Sequence, residues 1–421
     1  MNESGRSAKN SVSAVMGTIG AFLLAVSPAS QAAGFYISEI GTPLSLGTAS
    51  AANVTNTFGP DAAWSNPAGL VHVESGTMFA GLQLIAPTMK FDTDIAEKGG
   101  REGGNAGDPA VAPSFYYSQS LTENWHFGFG FSALQGGGAD YGDDFAGRYG
   151  TININLTGVG ATWSLGYRVN DRLSIGFGAS VIQTNYEQEI ALNLGPLPDG
   201  KVKISDADDI GIQPIVGLQY AVTDSLLLGI TYRAKYDSDL DGNIRFKNVP
   251  NLLPLPSETN LDLKWDNPQW LEAGLRWQMG GGNVLFLSGN WQQWSEFSEN
   301  QLVIDTDAGN RPVTLDRDWD DTWAVALGFG QLDYYDGWSI GVAYESSPAD
   351  DDVRTIDFPV DENWKFSAAY GRKRPSGRAW SLGATLQVFG DAKVDQTAQR
   401  VRFSGDFEDF YVLFLGATVK F

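Results

Sequence analysis

The sequence predicts an all-β protein, a transmembrane antiparallel β-barrel of about 14 strands with an N-terminal hatch, or plug, in its lumen. Three observations predict this fold. The chain ends in an alternating strand that stops on the aromatic Phe421, it begins with a secretion signal, and short turns alternate with long polar connections. Outer-membrane barrels combine these features because their strands cross the bilayer between short periplasmic turns and longer extracellular loops.

The first element is a signal peptide in residues 1–32. Arg6 and Lys9 precede an apolar stretch at 12–26, and a run of small residues follows it. This order is typical of secretion, with cleavage expected after Ala32. A transmembrane anchor is the alternative, but the stretch is too short and too rich in Gly, Ser and Thr to span a bilayer.

The second element, residues 33–74, is the predicted hatch. It does not alternate, and it carries few charges and many small residues, with bulky ones spaced among them. Such a composition favours packing over disorder. A barrel of about 14 strands has a lumen that leaks small solutes unless something fills it. We therefore expect this segment inside the lumen; a flexible periplasmic tail is the alternative.

The third element, residues 75–421, is the predicted barrel. A recurring pattern, in which an aromatic residue ends one strand and a short polar turn precedes the next, occurs at 167–176, 220–229 and more loosely 117–128. The long polar connections run over residues 92–111, 135–149, 193–207, 247–260, 298–315, 347–360 and 391–403. A soluble β-sandwich also alternates, but it does not combine a signal peptide, so many regular strands and a terminal aromatic strand.

Alternation assigns the two faces of each strand, because successive side chains point to opposite sides. After the turn at Asp171, the apolar odd positions 173–181 are expected in lipid. After the turn at Asp224, the apolar even positions face out, so Arg233 and Lys235 are expected to face the lumen. Within 152–165 the apolar phase changes, which predicts a β-bulge near Thr157 and Gly158.

Composition excludes several classes of protein. The chain has no cysteine, so disulfides, a lipoprotein anchor and thiol catalysis are excluded. Its formal net charge of −22 argues against nucleic acid as a partner. Acidic clusters such as 316–321 and 350–352 are interpreted as solvated residues, although binding of divalent ions between lipopolysaccharide headgroups stays open. We expect a monomer in contact with outer-membrane lipid and lipopolysaccharide.

No catalytic constellation is visible. His72 and His126 lie far apart, and the chain contains no Gly-x-Ser-x-Gly motif for a nucleophilic serine. We expect no enzymatic activity, no cofactor and no metal site.

Several stretches, in order along the whole mature chain, carry a family resemblance. In the hatch these are Ala33-Gly34-Phe35, Glu39, Gly47 with its small neighbours, and Asn66-Pro67-Ala68-Gly69. Later ones are Gly147-Arg148-Tyr149, the turn at 167–176 and the segment 319–328. The chain thereby resembles the FadL-type outer-membrane transporters of long-chain fatty acids and other hydrophobic compounds.

The resemblance implies a 14-stranded barrel closed by the hatch, and a route for an apolar ligand. The ligand lands on extracellular loops, moves to an inner pocket at the hatch and leaves sideways into the bilayer through the wall. Phe35 matches the third mature residue of the family, where the N-terminus shapes the inner site. Asn66, Pro67 and Ala68 are expected to hold the hatch against the wall, because Pro restricts the turn and Asn bonds local backbone.

Two long loops are unusually apolar for an extracellular surface. Their leucines, which we expect to line one landing groove, are Leu194, Leu197, Leu252, Leu253 and Leu255. Mutual packing of the leucines as a loop core is the alternative. A substrate carboxylate would need a cation, for which Arg148, Arg233 and Lys235 are candidates; an ion pair with a lumen acid is the alternative for each.

Two classes of function remain open at this level. The first is uptake of fatty acids or, alternatively, of alkane or aromatic hydrocarbons. The second is a structural or porin-like barrel; a porin would lack a plug and apolar loops and would have a charged constriction.

Overall fold

The computed structural model describes residues 36–250, 257–304, 311–331 and 334–421. The predicted signal peptide, Phe35 and the loop leucines Leu252, Leu253 and Leu255 lie outside the described residues.

Most of the described chain is β-strand. The strands are β1 (Met78–Ala96), β2 (Ala110–Ser120), β3 (Trp125–Asp140), β4 (Asn153–Arg168), β5 (Leu173–Leu192), β6 (Gly200–Thr223), β7 (Leu226–Arg233), β8 (Tyr236–Lys247), β9 (Glu258–Asn267), β10 (Trp270–Gln278), β11 (Asn283–Gln292), β12 (Glu299–Ile304), β13 (Arg311–Asp316), β14 (Thr322–Gln331), β15 (Gly337–Glu345), β16 (Asn363–Lys373), β17 (Ala379–Phe389), β18 (Val394–Ala398) and β19 (Val401–Lys420). The helices are α1 (Pro43–Gly47) and α2 (Ala62–Ser65), with 3-10 turns at Asn53–Thr55, Pro67–His72, Gly280–Gly282, Trp294–Phe297 and Tyr334–Asp336. None of the helices in the described ranges is long and apolar enough to cross a membrane.

The sheet closes on itself as an antiparallel ring of 14 strands. Around the ring the order is β1, β2, β3, β4, β5, β6, β7, β10, β11, β14, β15, β16, β17 and β19. The last strand pairs with the first, from Lys420 opposite Phe79 to Phe403 opposite Ala96, and this pairing completes the barrel. The predicted fold is confirmed.

Five further strands, β8, β9, β12, β13 and β18, extend the wall beyond the ring on the side of the long connections. Together with the long ends of β1, β2, β3, β6 and β19, these strands occupy parts of six predicted loops, 92–111, 135–149, 193–207, 247–260, 298–315 and 391–403. The sequence pattern does not identify these strands, because they lie outside the lipid-facing band and do not need apolar residues on their outer face. On β8, for example, Asp237 and Asp239 are exposed, while the alternate residues Ser238 and Leu240 are buried.

The outward faces agree with the alternation along the sequence. On β5, Ile175 and Phe177 are exposed, and Ser174 is buried. In the last part of β19, residues 410–419, Tyr411, Leu415 and Val419 are exposed, and the even-numbered positions are buried toward the lumen. These apolar exposed positions form the band that contacts lipid.

The predicted bulge in β4 is wrong, because β4 pairs with β5 without a register shift. The extra residue lies on the neighbouring strand, between Ala133 and Gln135 of β3, opposite Gly158. The apolar positions of β4 change from even to odd numbers because Ile154 and Leu156 are buried inside the barrel, not exposed to lipid. The upper lumen is apolar, so alternation of hydrophobicity does not distinguish the inner from the outer face of a strand there.

The hatch lies inside the lumen and is almost completely buried from Ile37 to Val71. It begins against the bulge of β3, where the Ile37 amide donates to the Leu134 carbonyl at 2.9 Å. Asn66 bonds to both the hatch and the wall: its Nδ2 donates to Val54 O at 2.7 Å and to Leu218 O and Ile230 O at 3.3 Å each.

Wall glycines allow the hatch to approach this closely. A Cβ at Gly176 would collide with Pro67 and the amide of Ala68, and a Cβ at Gly217 would collide with the Asn66 side chain. The hatch backbone therefore packs directly on the wall backbone at Asn66-Pro67-Ala68.

Candidate functional site

The lumen above the hatch is apolar. Inward-facing residues of the upper wall supply this surface, among them Ile154 on β4 and Leu261, Leu263 and Trp265 on β9. A transmembrane barrel ordinarily has a polar interior. A hydrophobic lumen instead favours apolar molecules over ions and sugars.

Seven aromatic side chains form a continuous series through this lumen, which we call the aromatic ladder. From the extracellular end to the hatch they are Phe358, Phe297, Trp319, Trp294, Tyr36, Trp270 and Trp64. Successive ring centroids are 6.1, 4.9, 5.6, 5.7, 5.8 and 6.0 Å apart. These separations lie within the favourable range for aromatic pairs. An apolar molecule that moves along the ladder exchanges one aromatic contact for the next.

At its lower end the ladder meets Arg233. The guanidinium carbon lies 4.2 Å from the ring centroid of Trp64 and 4.7 Å from that of Trp270. Nη2 donates to Trp64 O at 2.7 Å and to Ser65 O at 3.2 Å. Nε and Nη1 have no hydrogen-bond partner among the described residues. The predicted inward orientation of Arg233 is correct, and two of its donors are available to an acceptor.

Beside the ladder, Lys365 lies between two acids. Its Nζ is 3.3 Å from Glu39 of the hatch and 3.6 Å from Glu345 of β15. A cavity of about 20 Å³ lies here, bordered also by Tyr36, Trp270 and others. This volume holds about one water molecule. Sequence reasoning missed Lys365, although a lysine between the outward-facing Trp364 and Phe366 was a sign that β16 carries a charge into the lumen.

At its upper end the ladder is covered by the connection between β15 and β16, residues 346–362. Arg317 anchors this connection: Nη2 lies 2.9 Å from Asp357 Oδ2, and the guanidinium carbon is 4.6 Å from the Phe358 ring centroid. Burial by itself raises the pKa of Asp357, but the charge and hydrogen bonds of Arg317 outweigh it and hold the pKa below its usual value.

Arg148 ties extracellular loops together. Its Nε lies 3.1 Å from Asp199 Oδ2, and Nη1 donates to the carbonyls of Gly99 and Phe145. Burial, followed by the Asp199 hydrogen bond, raises the pKa of the neighbouring Tyr149. The side chain of Arg148 thus joins three loops, with its charge already compensated by Asp199.

The predicted inward orientation of Lys235 is wrong. Its side chain is 51 % exposed, and Nζ pairs with Glu296 at 2.9 Å. The physical reason is a break in the strand: β7 ends at Arg233 and β8 begins at Tyr236, so alternation does not continue across the two residues between them.

The two apolar loops lie side by side at their bases. Lys201 of β6 pairs with Lys247 of β8, and an ideal Cβ at Gly200 would lie 3.3 Å from Val249 and 3.5 Å from Leu192. Leu197 is 48 % exposed and Leu194 is half-buried. The other three predicted groove leucines are outside the described residues.

Beneath the hatch the character of the lumen changes. A cavity of about 280 Å³ lies under the turn Pro67–His72 and is lined by polar groups that include Arg168, Arg172 and Arg276. Arg168 donates to Val71 O, and Nη1 of Arg276 donates to Thr57 Oγ1. The hatch therefore separates an apolar upper lumen from a polar cavity near the short turns.

The fold and the site define an outer-membrane barrel with a plugged, apolar lumen. Residues 23–419 match the family described as "Outer membrane protein transport protein (OMPP1/FadL/TodX)", and the chain belongs to this family. It accordingly resides in the bacterial outer membrane.

Curated relatives agree with this assignment, and solved structures share the fold. The long-chain fatty acid transport protein of Escherichia coli O6:H1 is 26 % identical over 393 residues, covering 80 % of this chain and 81 % of the relative. Outer membrane protein P1 of Haemophilus influenzae is 21 % identical over 427 residues, covering 89 % and 87 %. A FadL homologue of Pseudomonas aeruginosa superposes with a TM-score of 0.81 at 19 % identity, covering 92 % and 99 %. The P. putida toluene transporter TodX superposes with a TM-score of 0.71 at 18 % identity, covering 91 % and 99 %.

Proposed function

We propose that this protein takes up long-chain fatty acids or similar hydrophobic molecules across the outer membrane. The observation that carries the proposal is the aromatic ladder, which runs through an apolar lumen down to a buried hatch. The names of the relatives support it, since they include long-chain fatty acid transport proteins and a toluene transporter. Catalysis has no part in this function.

Capture begins at the extracellular loops in this proposal. Leu194 and Leu197, together with Leu252, Leu253 and Leu255, form one landing groove. The adjacent bases of the two loops support a shared groove. The ligand then moves along the ladder to an inner site at the hatch, where Phe35 contributes to the floor.

For a fatty acid, Arg233 receives the carboxylate. Its two unpartnered donors are buried at the lower end of the ladder, where charge-assisted hydrogen bonds are strong. Arg148 and Lys235 are weaker candidates, because Asp199 and Glu296 already pair with them.

A neutral hydrocarbon is the second candidate substrate. It is favoured by the ion pairs that already compensate Lys365 and Arg317. A ligand without a charge needs no rearrangement of these pairs, and the ladder alone holds it.

Release occurs sideways into the bilayer in this proposal, at the bulge of β3. Leu134 and Gln135 are both buried there, and the Gly136-Gly137-Gly138 run follows. The first described residues of the hatch bond to this point of the wall. Movement of the hatch therefore acts directly on the irregular part of β3. We propose a monomer that works within outer-membrane lipid and lipopolysaccharide.

The test is uptake of radiolabelled oleate and toluene by cells that lack their own transporters of this type and express this chain. We expect uptake of at least one compound over the empty-vector control, and no gain in sucrose permeation. Arg233→Gln should reduce oleate uptake and leave toluene uptake unchanged. Uptake of neither compound by correctly folded barrel in the outer membrane would overturn the proposal, as would a gain in sucrose permeation, which indicates a general porin.

A further inference from the structure

The connection between β15 and β16, residues 346–362, enters the barrel. Ile356, Phe358 and Val360 are 0, 4 and 0 % exposed. The Tyr141 hydroxyl donates to Ile356 O at 3.2 Å, and the Ile356 amide donates to Gln396 Oε1 at 3.2 Å. Three apolar side chains of an extracellular connection thus occupy the upper lumen.

Phe358 lies in an aromatic cage formed by Trp265, Phe297 and Trp319. Its ring centroid is 5.9, 6.1 and 6.5 Å from theirs, with interplanar angles of 70, 82 and 82°. All three contacts are of the edge-to-face type that aromatic rings prefer. The cage therefore surrounds one flat apolar ring on three sides, at the extracellular end of the ladder.

The cage residues belong to the wall and its turns, whereas Phe358 belongs to a connection held by polar groups. Nε of Arg354 donates to Val360 O at 2.7 Å, and its charge pairs with Asp351 and Asp361. Arg317 pairs with Asp357 next to the ring. Polar anchors of this kind can exchange partners for water when the connection moves outward. An empty cage would expose apolar surface, unless another apolar group entered.

We propose that Trp265, Phe297 and Trp319 form a binding site for an apolar ring or chain segment of the substrate, which loop 346–362 fills with Phe358 until the substrate displaces it. This inference rests on the proposed function. It adds the first binding site that the substrate meets in the lumen and says how access to that site is controlled. Phe358 acts as a tethered competitor. The apolar group of the substrate contacts the same cage rings, so the exchange leaves little apolar surface of the cage uncovered. The next rings of the ladder then favour movement of the substrate toward the hatch.

The tethered competitor lowers the apparent affinity for substrate, because only the fraction of molecules with a vacated cage is competent to bind. It also keeps the apolar lumen covered when no substrate is present. The ligand class follows from the cage: a flat or slender hydrocarbon group, with any carboxylate left outside the cage.

The decisive experiment locks loop 346–362 in place. An ideal Cβ at Gly150 lies 2.9 Å from Ile356 Cγ2, so Gly150→Cys with Ile356→Cys places two thiols within disulfide reach. The natural chain has no cysteine, so no competing bridge forms. Oxidised double variant should lose uptake of labelled toluene or oleate at least ~10-fold, and dithiothreitol should restore it. Each single cysteine variant, treated with the same oxidant, is the matched control.

A second variant tests the ring itself. Phe358→Ala should raise the apparent affinity for the transported compound about tenfold, because the cage is no longer filled from within. Val360→Ala removes a neighbouring buried side chain of the same loop outside the cage, and it should change affinity much less. Heat-modifiable migration on gels verifies that each barrel is folded.

The outcomes separate two failures. If wild-type protein takes up neither compound, the proposed function fails. If wild-type uptake is present and the oxidised double variant, verified as bridged, transports at the wild-type rate, the proposed displacement of the loop is overturned. Equal effects of Phe358→Ala and Val360→Ala would equally overturn the role of the cage.

Discussion

Replacement of Asn66 by Ala should loosen the hatch from the wall. The Asn66 amide group joins three backbone carbonyls, one in the hatch and two in the wall, and its Oδ1 accepts from the Ala68 amide at 3.1 Å. Asn66 is fully buried, so no water replaces the lost partners at once. Leu218 and Ile230 are directly opposite each other in β6 and β7, so the side chain bonds to both strands at one level.

The magnitude follows from the partners that remain. Val54 O keeps a donor, Nε2 of Gln219, at 3.2 Å. The Ala68 amide loses its side-chain acceptor, and a buried unsatisfied donor costs about 1–3 kcal/mol. Together with the lost bonds to the wall, we expect Asn66→Ala to destabilise the seated hatch by about 2 kcal/mol. This free energy shifts the equilibrium toward the displaced hatch by ~30-fold.

Single-channel recording in planar bilayers measures this shift. Wild-type barrel should be almost silent, and Asn66→Ala should increase the fraction of time spent conducting by about 30-fold. Asn124→Ala is the matched control. Asn124 is exposed in the short turn between β2 and β3, so this variant should behave as wild type. Deletion of residues 35–70 gives the fully open reference. Correctly folded Asn66→Ala that stays as silent as wild type would refute the reasoning, because the side chain would then contribute nothing to seating.

Three further predictions concern other parts of the site. Lys365→Met should lower the midpoint of thermal unfolding, since it leaves the buried Glu39 and the partly buried Glu345 without their cation, a change that costs about 3–5 kcal/mol. Glu39→Gln, which keeps Glu345 as a partner of Lys365, should have a smaller effect, and equal midpoints would contradict the ion cluster. Leu197→Asp and Leu253→Asp should reduce uptake at dilute substrate far more than at saturating substrate, because one leucine contact contributes about 1.5–3 kcal/mol to capture; an equal loss at all concentrations would indicate a folding or gating defect. Acid should release loop 346–362, because Arg317 holds the pKa of Asp357 below its usual value. The ion pair stabilises the loop fully at pH values above about 3.9, the pKa of an aspartate in the unfolded chain. This stabilisation is lost as the pH falls through the lower pKa of Asp357 in the folded protein. Pepsin cleavage between pH 5 and 2 measures this release, and Asp357→Asn should be cleaved at every pH in that range.

The sequence determined the parts of the fold that face lipid. Lipid requires an apolar side chain at every second position of a spanning strand, so the positions beginning at Leu173 on β5 and ending at Phe421 after β19 could be assigned without a structure. The same requirement makes the number of strands and the closure predictable. The hatch was recognisable because a stretch with small residues and few charges fits neither lipid nor solvent.

Outside the lipid, strands need no apolar side chain at every second position, so alternation no longer identifies their faces. β8 and β9 carry aspartates on the outside, and Ile154 and Leu156 of β4 are apolar on the inside. Solvent accepts polar residues on strands and loops alike, and an apolar lumen resembles lipid in composition. Alternation therefore predicts the bulge in β4, although it belongs to β3. It also predicts an inward Lys235, because it cannot reveal the break between β7 and β8.

Only the tertiary structure decided which side chains meet in the lumen. Tyr36 and Phe358 are more than 300 positions apart, yet both belong to one ladder. Arg148 and Lys235 are equally plausible from sequence as cations for a ligand carboxylate, and the structure shows that each has an acidic partner of its own, Asp199 and Glu296. A barrel brings distant strands together around a common axis, and each contact across that axis depends on register, strand breaks and the path of a loop. These are long-range properties of the closed sheet, so no local pattern of residues encodes them.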